Sequence, residues 1–134
     1  MKPDLSGEYV LDRAASALSA GAAAVQSAVM RIDHHEPVFR CAANFVFADG
    51  KTFPFSFELH TDGREVAGGE GEVSRMYWQD DGLVSEYRTT TPADVVIMTW
   101  RYELIESGAG LQATERIRGG GRDQDNVWRF TRSA

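Results

Sequence analysis

The stretch from Asn44 to Leu59 constrains this chain more than any other. Phe45 and Phe47 alternate with small or polar neighbours up to Asp49-Gly50, and Phe53, Phe55, Phe57 and Leu59 resume the alternation beyond it. A period of two over both arms puts the rings on one face of a sheet. Asp-Gly between two such arms predicts a hairpin, because both residues accept the positive φ of a type I′ turn. Pro54 falls on the other phase of the second arm. Proline cannot donate to a ladder, so this strand is expected to border an opening or a bulge.

The same rhythm governs most of the remaining sequence. Gly7 to Leu11 reads as a first strand with Tyr9 and Leu11 on one face, and Met30, Ile32 and His34 share a face of the next. Phe39, Cys41 and Ala43 lead into the aromatic hairpin. Further strands are predicted over Arg64 to Ala67, Val73 to Trp78, Leu83 to Thr89, Val96 to Leu104, Leu111 to Ile117 and at Trp128 to Phe130, with Gly119 to Asn126 as a loop. Only Asp12 to Gln26 departs from the pattern. It is rich in alanine, offers Asp12 or Ser16 as an N-cap and predicts a short helix or two fragments around Gly21. The expected fold is all-β, an antiparallel up-and-down barrel of about ten strands in a single domain, residues 1–134. Tight turns leave little chain for Greek-key returns, and closure removes the edges that aromatic strands would expose.

Composition excludes several classes of partner. A net charge of −6 argues against nucleic acid, whose phosphates supply most non-specific affinity to basic proteins. Arg116, Arg118, Arg122, Arg129 and Arg132 gather near the C-terminus and read as a solvated exterior. The alanine-rich segment is too short and too weakly apolar to span a bilayer, so no membrane insertion is expected. The opening Met-Lys-Pro-Asp-Leu-Ser-Gly does not read as a secretory signal, and the lone Cys41 on an apolar phase suits a reducing cytoplasm.

Asp4-Leu5-Ser6-Gly7-Glu8-Tyr9-Val10-Leu11 resembles the opening Gly-x-Trp strand of the calycins, the lipocalins and fatty-acid-binding proteins, with Tyr9 in the tryptophan position. The order of strand, helical segment and consecutive hairpins resembles the fatty-acid-binding branch and the small bacterial lipocalin-like domains of unassigned function. The resemblance implies a barrel that gapes beside its fourth strand and a basic residue, Arg129 or Arg132, packed across the opening aromatic. This chain departs from the family in its last strand. Where the fatty-acid-binding proteins carry Arg-x-Tyr, it reads Arg129-Phe130-Thr131, and no histidine follows His60 as in haem-binding relatives.

Inward-phase residues supply the candidate site. Phe55, Phe57, Trp78, Trp100, Tyr102 and Trp128 would wall a pocket for a small apolar or planar ligand, with Tyr87, His34 and Glu115 as its polar groups beside Ser74 and Ser85. A carboxylate on this phase must meet a donor, with Tyr102 or His34 the expected partner, or hold its proton. Three readings follow: a binding module with access beside the Asp12 to Gln26 segment, a barrel filled by its aromatics and used only for interaction, and an enzyme with His34 and Glu115 as acid and base. No cofactor is expected, because Gly119-Gly120-Gly121 lacks the lysine and helix of a phosphate loop. Nor is a metal expected, since adjacent His34 and His35 on a strand point to opposite faces. Val84, Ile97 and Val127 on the outward phase predict a homodimer through the strands at Leu83 to Thr89 and Val95 to Leu104.

Overall fold

A computed structural model describes residues 2–133. Ten strands form one antiparallel sheet: β1 (Gly7–Leu11), β2 (Val25–His35), β3 (Val38–Phe47), β4 (Thr52–His60), β5 (Val66–Ala67), β6 (Glu72–Gln79), β7 (Gly82–Thr90), β8 (Val95–Ile105), β9 (Gly110–Arg118) and β10 (Gln124–Ser133). Their spatial order is β4-β3-β2-β1-β10-β9-β8-β7-β6-β5. Each strand pairs with its sequence neighbour except across β4 and β5, while β1 and β10 join the chain's two ends. The barrel is therefore nearly closed. β4 lies alongside β6 without a ladder between them, and Pro54, opposite Asn44 of β3, stands on that edge strand.

Two local expectations are corrected. At Asp49-Gly50 only Gly50 takes a positive φ, +86°. The Phe47 amide donates to Lys51 O at 2.8 Å and the Gly50 amide to Phe47 O at 2.9 Å, so the loop has three residues with a glycine bulge rather than a two-residue type I′ turn. The second correction concerns Asp12 to Gln26, which forms no helix. This segment is a strap of turns along β10, and the reason lies in strand length. β1 ends at Leu11 opposite Phe130, leaving the β10 backbone from Arg129 towards Asn126 without a partner on that side. The strap takes over. The Asp12 amide donates to Arg129 O at 2.7 Å, Ala17 and Val127 exchange bonds of 2.8 Å, and Ser16 Oγ accepts from the Arg129 amide at 2.9 Å. A short isolated helix is marginal in water, whereas unpaired buried backbone groups are costly, so edge completion prevails.

Inward residues form layers across the ladders. Towards one end, Leu5, Tyr9, Phe39, Leu83 and Leu111 are fully buried. The Tyr9 hydroxyl donates to Leu5 O at 2.7 Å, and the Arg132 guanidinium donates to that hydroxyl at 3.1 Å and to Ser6 O at 2.5 Å while lying 5.5 Å from the ring centre. Arg132, not Arg129, thus packs across the opening aromatic. Arg129 is exposed and donates to Gln112 Oε1 at 3.0 Å. On the outward phase Val84 is only 5% exposed, because Tyr77 and Arg101 stand beside it in the ladders and cover it with their long side chains.

Tyr9→Phe removes one donor and one acceptor from this closed end and leaves the Leu5 carbonyl buried without its partner. We expect it to cost about 1–3 kcal/mol, read as a lower urea midpoint at unchanged slope.

Candidate functional site

The two ends of the barrel differ. In the end nearest Tyr9 the rings interlock: Phe39 lies 5.7 Å from Tyr102, 6.0 Å from Phe57 and 5.7 Å from His34. In the strap end they line a cavity of about 420 Å³. Phe45, Trp100 and Trp128 form one connected ring cluster, with centroids 5.4 Å apart for Phe45 and Trp128 and 6.2 Å for the two indoles. Phe47, Phe53 and Phe55 line it from the aromatic hairpin, Met98 and Ile117 from β8 and β9, and Gly21, Ala22 and Val25 from the strap and the start of β2. Trp100 stacks on Tyr102 at 6.2 Å and Phe55 on Phe57 at 6.5 Å, so the cavity rests on the packed half.

One charged group faces this space. Glu115 lies between Trp100 and Asn126 in the β8-β9-β10 ladders and is 7% exposed. Its Oε1 accepts from Asn126 Nδ2 at 2.9 Å and from the Trp128 indole at 3.1 Å. The donors are thus Asn126 and Trp128, in place of the expected Tyr102 or His34. Among the described residues no donor reaches Oε2. Burial raises the carboxyl above its ordinary value of 4.5, and the two hydrogen bonds offset only part of that. Asn126 is itself fixed from the other side, its Oδ1 accepting from the Ser19 amide at 2.6 Å, and Gln124 Oε1 accepts from Ser19 Oγ at 2.9 Å. The strap is tied through Asn126 to the carboxyl. The loop expected over Gly119 to Asn126 hides Asn126; β10 begins at Gln124, and continuing the phase of Trp128 and Phe130 backwards finds it.

His34 occupies the other end. Its Nδ1 accepts from the Leu5 amide at 3.1 Å, so its proton sits on Nε2, which donates to Glu36 Oε1 at 2.7 Å. Glu36 also accepts from the Thr61 hydroxyl at 2.9 Å and the Trp78 indole at 3.2 Å. Burial pushes the Glu36 carboxyl up, but the bonds from His34, Thr61 and Trp78 outweigh it and hold the group below its ordinary range. Both ring nitrogens of His34 are committed to a structural clasp, and the pairing of His34 with Glu115 is not made. Of the sequence candidates, Phe55, Trp100, Glu115 and Trp128 line the cavity. Phe57 and Tyr102 belong to the packed half, Trp78 to the Glu36 clasp, and Tyr87 stands 36% exposed on β7. No group of three or more histidines, cysteines or carboxylates among the described residues is arranged to hold a metal ion. Burial pushes the Cys41 thiol up to about 12.

No family model and no curated protein matches the chain. Its fold is nevertheless shared with solved structures. The fluorescent protein UnaG superposes with a TM-score of 0.63 at 12% identity over 96% of each chain. Fatty-acid-binding protein 1 of Echinococcus granulosus gives 0.61 at 13% identity over 96% of this chain and 97% of its own. Secretory abundant heat soluble protein 4 of Ramazzottius varieornatus gives 0.55 at 10% identity over 100% and 99%. The likeness is one of fold, an antiparallel up-and-down barrel of ten strands that is nearly closed. Among the described residues no helix is long and apolar enough to cross a membrane.

Because the folded state holds the Glu115 proton more tightly than the unfolded chain does, ionising this group works against folding. Its effect is absent well below 4.5, grows as pH rises through 4.5 and levels off above the raised folded-state value. Glu115→Gln is therefore expected to gain stability relative to wild type as pH rises through that window. Urea midpoints of both proteins across a pH series measure it, and a constant difference contradicts it.

Proposed function

We propose that the barrel binds a small, mainly apolar molecule in the strap-end cavity. The observation that carries this reading is a space of about 420 Å³ walled by Phe55, Trp100 and Trp128 with one buried carboxyl, inside a barrel whose other half is filled. That volume lies within the range of about 300–1,000 Å³ of small-molecule sites, and an apolar wall with few polar groups is their usual chemistry. The likeness to a fatty-acid-binding protein of Echinococcus granulosus supports the same reading at the level of architecture. Phe55, Trp100, Glu115 and Trp128 touch the ligand in this proposal, while Phe57 and Tyr102 hold those rings in place from below. Access runs between Ala22 of the strap and Phe53, a residue 55% exposed at the rim beside the β4 gap. A reducing compartment such as the cytoplasm suits the buried, protonated Cys41.

Nile red, a neutral apolar dye, is expected to bind saturably with enhanced emission. Met98→Trp, which places a larger side chain into the cavity from a half-buried position, is expected to weaken that binding at least about tenfold with an unchanged circular dichroism spectrum. A flat response from folded wild-type protein overturns the reading and leaves the barrel an interaction module.

Assembly is a separate part of the proposal. With Val84 covered, the outer face retains Ile97 and Val127, both half-buried, and we propose a weak twofold contact through Ile97 on β8. Light scattering across a dilution series is expected to show mass falling from dimer to monomer, with Ile97→Asp monomeric throughout. A monomer mass at every concentration contradicts it.

A further inference from the structure

We infer that the cavity selects ligands whose polar end donates a hydrogen bond, a long-chain or aryl amine above all, and rejects the carboxylate end of a fatty acid. This rests on the binding reading above and concerns the polarity of its site. Among the cavity-lining residues Glu115 is the only ionisable side chain; no lysine, arginine or histidine faces the space. A ligand carboxylate placed here would meet a carboxyl of its own kind with no cation to compensate it, and burying an uncompensated charge is costly.

The hydrogen-bond pattern sharpens the argument. The Trp128 indole N–H is spent on Glu115 Oε1, and Asn126 Nδ2 gives one of its two N–H groups to the same oxygen, so what is left on these residues for a ligand is a single neutral amide N–H and no cation. Asn126 is further held by the Ser19 amide on its other atom. The remaining polar liner, Gln124, has its carbonyl oxygen engaged by Ser19 and offers only a neutral amide. Oε2 of Glu115 is thus an acceptor with no donor among the described residues, on a side chain 7% exposed and fixed by two bonds. An ammonium or hydroxyl group with its chain against Phe55, Trp100 and Met98 would supply the missing donor. A bound ammonium would also favour the ionised carboxyl, opposing the effect of burial. Arg129 points outward to Gln112, so the one charged side chain lining the cavity is a carboxylate.

Decylamine, decanol and decanoate share one chain and differ in the head, so their competition against bound Nile red isolates the head group. On wild-type protein decylamine is expected to compete at least about tenfold better than decanoate, with decanol between them. Glu115→Gln keeps an acceptor oxygen for Asn126 and Trp128 and removes the charge, and is expected to bring the amine and carboxylate within about threefold of each other. Decanoate equal to or better than decylamine on wild type, or an undiminished amine preference in the folded variant, overturns the inference while leaving apolar binding intact. Failure of all three compounds and of Nile red on folded wild type overturns the binding reading itself. The wild-type series decides the question even if the variant does not fold.

Discussion

The backbone edge of β10 is the constraint on which this structure depends. β1 is five residues long and covers only the C-terminal part of β10, so the segment from Asn126 to Arg129 needs another partner. Buried amides and carbonyls left unpaired cost free energy comparable to a lost hydrogen bond, and the strap satisfies them through Asp12, Ser16 and Ala17. This pairing also shapes the cavity. It lays Gly21 and Ala22 over the mouth of the barrel and presses the Ser19 amide onto Asn126, which in turn orients Glu115. Roof and anchor arise from the same edge.

The contrast between the two halves of the barrel follows from side-chain size in successive layers. Phe39, Phe57 and Tyr102 stack into one another below, with the His34-Glu36-Trp78 clasp beside them. Above, the small strap residues Gly21 and Ala22 line the space together with Phe55, Trp100 and Trp128, and these rings remain as a wall instead of a plug. Two carboxyls divide accordingly, Glu36 exposed at the packed end and Glu115 buried at the cavity. Glu36 collects three donors and sits below its ordinary range, a closed network that rigidifies. Glu115 collects two donors on one oxygen, faces a cavity and is raised by burial. Environment, not residue type, separates a carboxylate held in a clasp from one that faces a cavity.

Much of the fold could be read along the chain because it is a local property. Strand phase repeats every two residues, turns are marked by Asp-Gly and glycine clusters, and consecutive hairpins imply a meander that must close. The same local signals explain why Phe55, Trp100, Glu115 and Trp128 could be placed on the inner face. They failed where a non-local partner intervened. The alanines after Asp12 carry good helix propensity, yet the exposed edge of β10 outcompeted it, and Val84 on the outward phase is buried because Arg101 and Tyr77 lie across it.

The sequence by itself determined the all-β class, the strand phases, the hairpin order, the gap at Pro54 and the absence of a phosphate-loop signature, since each depends on residues close in the chain. Only the tertiary structure decided which of the inward residues meet. That Asn126 and Trp128, not His34 or Tyr102, engage Glu115, and that His34 is locked to Leu5 and Glu36 at the far end, depends on the register of β9 against β10 and on where the strap crosses them. Register couples residues far apart in sequence, and periodicity within a single strand carries no information about it.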